Sequence, residues 1–311
     1  MLILLKNIGY LILIIGINLF VISFLNNKIV SRMELRRGYK GYKRENVFFP
    51  FVKSLKFISK ENPFSFWDIL IFIFTMIFCC IIPISLNISI IDSSYSVLMA
   101  ITVLILIIIF KIFSVSYSKY DFIISDFIKK INQIVSSIIP LLFCILSIII
   151  LNKSFDFKVI VNSQYQYWNI IYQPIGFVIF FISILLQMKL LNFSENNQFL
   201  LSGNINKEGE GISKLIARLT NYLIIFFQII MLNILYLGGW QKFHLINGNI
   251  MSGLKFYIIL LLLMILEKSI SGISNFKKLI NLNYKLILPL SIVNLIITII
   301  FFVLRNVYSI I

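Results

Sequence analysis

The chain has 311 residues, 59% of them hydrophobic and only 13% charged, with a mean hydropathy of +0.97 and a formal net charge of +16. A soluble domain is about 45–50% apolar and about 25% charged, so this composition leaves too little polar surface to cover a water-soluble globule. The three cysteines form no C-x-x-C pair and the single histidine, His244, stands alone, which argues against a zinc or iron–sulfur site.

The apolar runs are continuous rather than alternating, and lipid offers the backbone no partners, so the chain reads as an all-α polytopic membrane protein rather than a β-barrel. Eight transmembrane helices are predicted, at about 8–26, 68–90, 95–117, 132–152, 168–190, 217–238, 254–273 and 286–306. The first run is longer than a signal-peptide core and lacks a small-residue cleavage site, so it is expected to remain as a span. Cys79 and Cys80 fall in the second span and Cys144 in the fourth, as buried apolar side chains. Trp67, Trp168 and Trp240 fall at span edges, where amphipathic rings favour the interface. Pro174 sits in the first turns of the fifth span, where its missing N–H costs little. Gly238 and Gly239 suit the end of the sixth.

The excess of positive charge would suggest nucleic acid in a soluble protein, but here it follows topology. The loop 27–67 carries ten Lys/Arg against three acids. The loops 118–131, 191–216 and 274–285 hold Lys119, Lys129 and Lys130 against Asp121 and Asp126, then Lys207 and Lys214 with Glu195, Glu208 and Glu210, then Lys277, Lys278 and Lys285. The intervening loops are leaner, with Asp92, then Lys153, Lys158 and Asp156, then Lys242. Odd loops are therefore expected on the inside and both termini on the outer, positive side. A single membrane domain spanning 1–311 is expected, with 27–67 and 191–216 as its principal inside loops. Lys111, Lys189, Arg218, Glu267, Lys268 and Arg305 lie within spans or at their ends. Most are close enough to an edge to snorkel, while Glu267 beside Lys268 could form a site facing the bundle.

Inside the basic loop, residues 47–60 have helical periodicity. Phe48, Phe51, Val52 and Leu55 share one face and Lys53, Lys56 and Lys60 another, the pattern of an interfacial amphipathic helix. Such a helix can serve as a plain anchor or as the lip of an opening for a lipophilic molecule.

Several stretches resemble a known family. "NNKIVSRMELRRGYK" carries Lys28, Met33, Leu35, Arg36, Arg37 and Gly38, and "FPFVKSLKFISKE" carries Pro50, Leu55, Lys56, Lys60 and Glu61. "SFDFKVIV" follows at Ser154 to Val161, "QPIGFVIFFIS" at Gln173 to Ser183, Leu237 to Trp240 as Leu-Gly-Gly-Trp, and "YKLILPLS" at Tyr284 to Ser291. In order and spacing these are similar to the quinone-site membrane subunit of respiratory complex I, NADH dehydrogenase subunit one. The resemblance implies the heel of a membrane arm that, with hydrophilic quinone-module subunits and small membrane subunits as partners, encloses a chamber reached by ubiquinone from the bilayer. Ubiquinone is then the substrate, and this chain is expected to bind no flavin, iron–sulfur cluster or metal, and no nucleic acid. Arg36 and Arg37 are expected near the chamber, with Phe48, Phe51, Val52 and Leu55 as the lipid-side lip of its access opening.

The departures from the family concern acids. Asn26 and Asn27 stand in its Glu-Arg-Lys stretch, and Lys53 replaces a surface-helix aspartate. Gln187 stands for a glutamate and Ser194 for an aspartate. Lys129, Gln133 and Ser136 or Ser137 stand for an Arg, a Gln and a Glu, and Lys268 for an Arg. The resemblance therefore assigns the coupling path to Lys129, Gln133, Gln187, Lys268 and the remaining loop acids Glu195, Glu208 and Glu210. Because Asn, Gln and Ser orient water but take up no proton near neutral pH, that path is expected to be thinned. Two other classes are compatible with the composition, the membrane subunit of a hydrogenase-type complex and an ion-coupled transporter. No internal repeat of the kind a transporter shows is visible. The Phe, Ile, Leu, Asn, Lys and Tyr bias suits an A/T-rich genome. It points to an organelle-encoded protein of the mitochondrial inner membrane, or alternatively to a bacterial plasma membrane.

Overall fold

A computed structural model describes residues 2–33, 66–85, 88–117, 124–190, 212–242, 247–269 and 280–308. They form α1 (Leu2–Met33), α2 (Phe66–Ile81), α3 (Ser96–Tyr117), α4 (Ile124–Asn152), α5 (Phe157–Ser163), α6 (Asn169–Tyr172), α7 (Pro174–Leu190), α8 (Ile212–Tyr236), α9 (Gly248–Ser269) and α10 (Leu288–Tyr308), the last preceded by a π-helical turn at Asn283–Ile287. Among these residues there is no strand, only one isolated bridge between Ser85 and Ile88. Five stretches are long and apolar enough to cross a membrane: Ser96–Ser114, Ile134–Asn152, Leu215–Tyr236, Gly248–Ser269 and Ile280–Leu304. Lys6–Ile22, Phe66–Ile81 and Pro174–Met188 are shorter apolar helices. The described residues are all-helical, and their apolar helices are those of a multi-pass membrane protein.

Helix boundaries depart from the apolar runs where backbone chemistry intervenes. The second helix ends at Ile81 rather than near 90, because Pro83 offers no N–H and disfavours helical geometry at Ile82. The fifth expected span is divided: the helix breaks at Gln173 and restarts at Pro174, a position where the orphaned N–H is no loss. The fourth starts at Ile124, ahead of the apolar run, since polar residues end a membrane crossing without ending a helix. Gly238 and Gly239 take φ +74° and +50° after α8, the left-handed geometry that terminates a helix at little cost.

Hydrogen bonds between helix ends fix an alternating up-and-down arrangement. At one end, here the upper, Asn7 Nδ2 donates to the Ser89 carbonyl, and Val97 N–H to the Phe155 carbonyl. There too Gln164 Nε2 donates to the Ile234 carbonyl and Asn169 Nδ2 to the Leu235 carbonyl. At the other, lower end, Trp67 stacks on Phe113 at 5.2 Å, Lys111 meets Asn221 and Asn283 meets Ser136. The helix ends that flank the loops 27–67, 118–131, 191–216 and 274–285 are those of the lower end.

The core is one cluster centred on α8, whose residues from Leu223 to Tyr236 are buried almost without interruption. Its closest companions include α2, α7 and the short α5, and α4 packs most extensively on α10. Interhelical packing in lipid gains little from apolar transfer, so close van der Waals fit and amide pairs hold the bundle. The helix α1 sits at the margin, touching α8 and α9 and exposing Ile8, Ile12, Leu13 and Ile17, with Tyr257 Oη donating to its Asn18 Oδ1 at 2.8 Å.

Candidate functional site: a line of amides and hydroxyls inside the bundle

Every long helix except α1, α2 and α9 contributes a polar side chain to a discontinuous interior line. In its lower part, Gln228 Nε2 of α8 donates to Gln187 Oε1 of α7 at 2.7 Å, and Gln187 Nε2 approaches the Ser137 carbonyl of α4 at 3.5 Å. Lys111 Nζ of α3 donates to Asn221 Oδ1 of α8 at 3.0 Å. Lys111, Ser137, Gln187 and Gln228 line a cavity of about 30 Å³ together with Phe78, Leu104, Ile134 and Ile224. Beside it, Asn283 Nδ2 in the π-helical turn donates to Ser136 Oγ at 3.3 Å.

The upper part lies about 15 Å away, ten residues further along α4 at 1.5 Å per residue. Ser147 Oγ donates to the Cys144 carbonyl at 2.7 Å and to Gln173 Oε1 at 3.1 Å, and Asn294 Nδ2 of α10 donates to Ser147 Oγ at 3.2 Å. Tyr236 buries its hydroxyl near Asn294 and Gly176, with no hydrogen-bond partner among the described residues. Gly176 makes room for it: a methyl there would fall 2.7 Å from Tyr236 Oη and 3.0 Å from Asn294 Nδ2. Between the two parts, Pro140 interrupts the hydrogen-bond ladder of α4, which releases a backbone carbonyl one turn earlier.

At the upper surface Lys255 Nζ donates to the Leu237 carbonyl and lies 4.4 Å from the Trp168 ring centroid, a cation–π contact. Asp156 caps α5 by accepting from the Lys158 N–H at 3.0 Å and also accepts from Ser96 Oγ at 3.3 Å. Asp92 pairs with Lys158 at 2.7 Å. That hydrogen bond, helped by Ser89, holds the Asp92 carboxyl below its ordinary value.

Among the residues expected from sequence, Gln187 stands in the lower part of this line. Lys268 is buried at the lower end of α9 beside buried Glu267, so this pair faces the bundle rather than snorkelling. Lys129 and Gln133 occupy the first turns of α4, and their side chains lie outside the described residues. So do Arg36, Arg37, Phe48, Phe51, Val52, Leu55, Glu195, Glu208 and Glu210. The sequence reading passed over Asn221, Gln228, Asn294 and Ser147. Their signal was a lone amide or hydroxyl in an apolar run, as in "FFQII" and "IVNLI", which is costly in lipid unless another helix supplies a partner. Chemically the line can orient water and hydrogen-bonding ligands. Apart from Lys111 and Tyr236 it holds no strongly titratable group among the described residues.

A family model described as NADH dehydrogenase matches residues 6–299. The match takes in every helix that contributes to the interior line and all but the ends of α1 and α10. The chain belongs to the NADH dehydrogenase family, that of NADH–ubiquinone oxidoreductase chain 1, a membrane subunit of complex I.

Proposed function

We propose that this subunit forms the ubiquinone access opening and chamber of a proton-pumping NADH:ubiquinone oxidoreductase and links quinone reduction to proton translocation. The family match over residues 6–299 carries the reading. The lower end of the bundle supports it, because there Lys111, Ser137, Gln187 and Gln228 line a cavity near the helix ends that flank the inside loops. In this reading all eight long helices cross the membrane, the lower end faces the inside, and both termini face out. The segment 47–60 lies on the membrane with Phe48, Phe51, Val52 and Leu55 toward lipid. Arg36 and Arg37 sit near the chamber, where a guanidinium favours the anionic form of a reduced quinone. Hydrophilic quinone-module subunits dock on the basic loops and carry the redox centres, and small membrane subunits flank the bundle. The setting is the mitochondrial inner membrane.

Proton movement in this subunit then uses water ordered by amides and hydroxyls, with Lys129, Gln133, Gln187, Lys268, Glu195, Glu208 and Glu210 along the path. Purification of the native particle tests the assignment: NADH oxidation and quinone reduction should co-migrate with this chain. Replacement of both Arg36 and Arg37 by Gln should impair quinone reduction or attachment of the hydrophilic arm. Normal assembly and activity in that variant would remove those residues from the chamber. Substitution of Glu195, Glu208 or Glu210 should lower proton translocation, since few other acids remain; full stoichiometry in all three variants would refute the thinned path.

A further inference from the structure

A larger cavity, of about 280 Å³, opens at the upper end of the bundle, between the segment after α2 and the starts of α3 and α5. Its polar lining is Asp92, Ser93, Ser94, Ser96, Asp156 and Lys158. The space is many times the about 10–15 Å³ that one water needs. Asp92 and Lys158 pair at 2.7 Å and neutralise one another. Asp156 Oδ1 accepts from Ser96 Oγ and from the Lys158 N–H, but no cationic side chain forms an ion pair with it among the described residues. Two carboxylates against one ammonium leave the cavity with one net negative charge.

The cavity lies at a defined depth. Ser96, in its lining, opens the apolar stretch Ser96–Ser114, which has 19 residues. At 1.5 Å per residue that stretch is about 28 Å long, close to a hydrocarbon core of about 30 Å. Acyl chains therefore give way to headgroups at the level of the cavity. Below it, Ile69, Ile73 and Ile77 of α2 are exposed at i, i+4 spacing, and Ile81, next in that series, lines the cavity. On α3 the exposed Met99 adjoins it, since its sulfur accepts from Ser93 Oγ at 3.4 Å. A polar, charged recess thus sits at the top of an outward apolar face.

The matching ligand joins a hydrogen-bonding cation, an anion and apolar tails. An anionic lipid would meet the net negative charge. A choline headgroup carries no N–H and would leave Asp156 without a donor. An ethanolamine ammonium brings three donors. Lys158 has donors beyond the one directed at Asp92, and with the exposed Ser94 it can meet a phosphate oxygen. We infer that this cavity binds the headgroup of an ethanolamine phospholipid of the upper leaflet, with the ammonium on Asp156, the phosphate beside Lys158 and Ser94, and the acyl chains along α2. The site is separate from the quinone chemistry proposed above and does not depend on it.

The test uses the complete native complex in phosphatidylcholine vesicles containing a trace of phosphatidylethanolamine with a photoactivatable acyl chain. Mass spectrometry should locate the label within residues 73–82 or 93–99. Unlabelled phosphatidylethanolamine should reduce labelling there at least about threefold more effectively than phosphatidylglycerol or soluble glycerophosphoethanolamine, as loss of a charge-assisted hydrogen bond or of the tails requires. Asp156→Asn keeps an acceptor at the cap of α5 but removes the charge, and it should lower the labelling at least about threefold. Labelling elsewhere, or labelling insensitive to phosphatidylethanolamine, would reduce the contact to bulk lipid and overturn the inference. Equal competition by phosphatidylglycerol would overturn the role of the ammonium, and equal competition by the soluble headgroup would overturn the lipid. An unchanged Asp156→Asn variant would remove Asp156 from the site. Should that variant fail to assemble, the competition in the parental complex decides alone.

Discussion

A methyl group added to Gly248 would collide with the Trp240 carbonyl oxygen and fall 2.9 Å from its carbon. The obstacle is backbone, which cannot rotate away, so Gly248→Ala should destabilise the subunit by about 3 kcal/mol, at the upper end of overpacking costs. Gly176→Ala meets only the ends of the Tyr236 and Asn294 side chains and should cost about 1 kcal/mol. Thermal loss of helical circular dichroism in detergent compares the two, and an equal or reversed order would contradict the packing described. Lys255 offers a second test. Lys255→Met removes a charge-assisted bond to the Leu237 carbonyl and the contact with Trp168, a loss of about 1.5–3 kcal/mol. Trp168→Leu should lose less, and the double substitution less than the sum of the two, because both act on one contact. Strict additivity in that cycle would show the lysine and the ring to be energetically independent.

The elements were legible to different degrees. Long apolar runs located α3, α8 and α9 well, since lipid forces the backbone of such a run into helix. The run after Ile81 misled, because "IIPISLNISII" is apolar enough to extend a span while Pro83 ends the helix. The interior line was legible at Gln187 and at Ser136 or Ser137, which the family resemblance brought out. Asn221, Gln228 and Asn294 needed the fold, because a lone amide in an apolar run does not reveal which helix it will face. The segment after α2 also carries a pH prediction. Asp92 ties it to Lys158 of α5, and its carboxyl is held below the ordinary 3.8. A depressed acid contributes its stability in full above that ordinary value and loses it as pH falls through the lower folded value. Hydrogen exchange at residues 88–95 should therefore be unchanged between pH 7 and 5, once corrected for intrinsic rates, and lose protection below about pH 4. The effect should be small, because the pair is largely exposed. In Asp92→Asn the acid-dependent change should vanish.

For the whole molecule the decisive question is which side of the membrane each end occupies. Tyr165 is 83% exposed at the upper end, and Glu208 belongs to the loop 191–216, whose flanking helix ends lie at the lower end. In sealed vesicles, Tyr165→Cys and Glu208→Cys should react with an impermeant thiol reagent from opposite sides; reaction from the same side would overturn the orientation. The native cysteines interfere little, since Cys79 and Cys144 are buried and Cys80 partly so. One further consequence concerns biogenesis. The final helix turns Ser291, Asn294 and Thr298 inward while Ile292, Val293, Ile296 and Ile300 face outward, and Asn294, with Asn283 of the preceding turn, meets Ser147 and Ser136 of α4. Until the ribosome has released these residues, α4 must wait in the bilayer without the amides of Asn283 and Asn294 that meet Ser136 and Ser147. A nascent chain stalled before residue 283 is therefore an open bundle, exposed to whatever quality-control machinery inspects polar groups within the lipid.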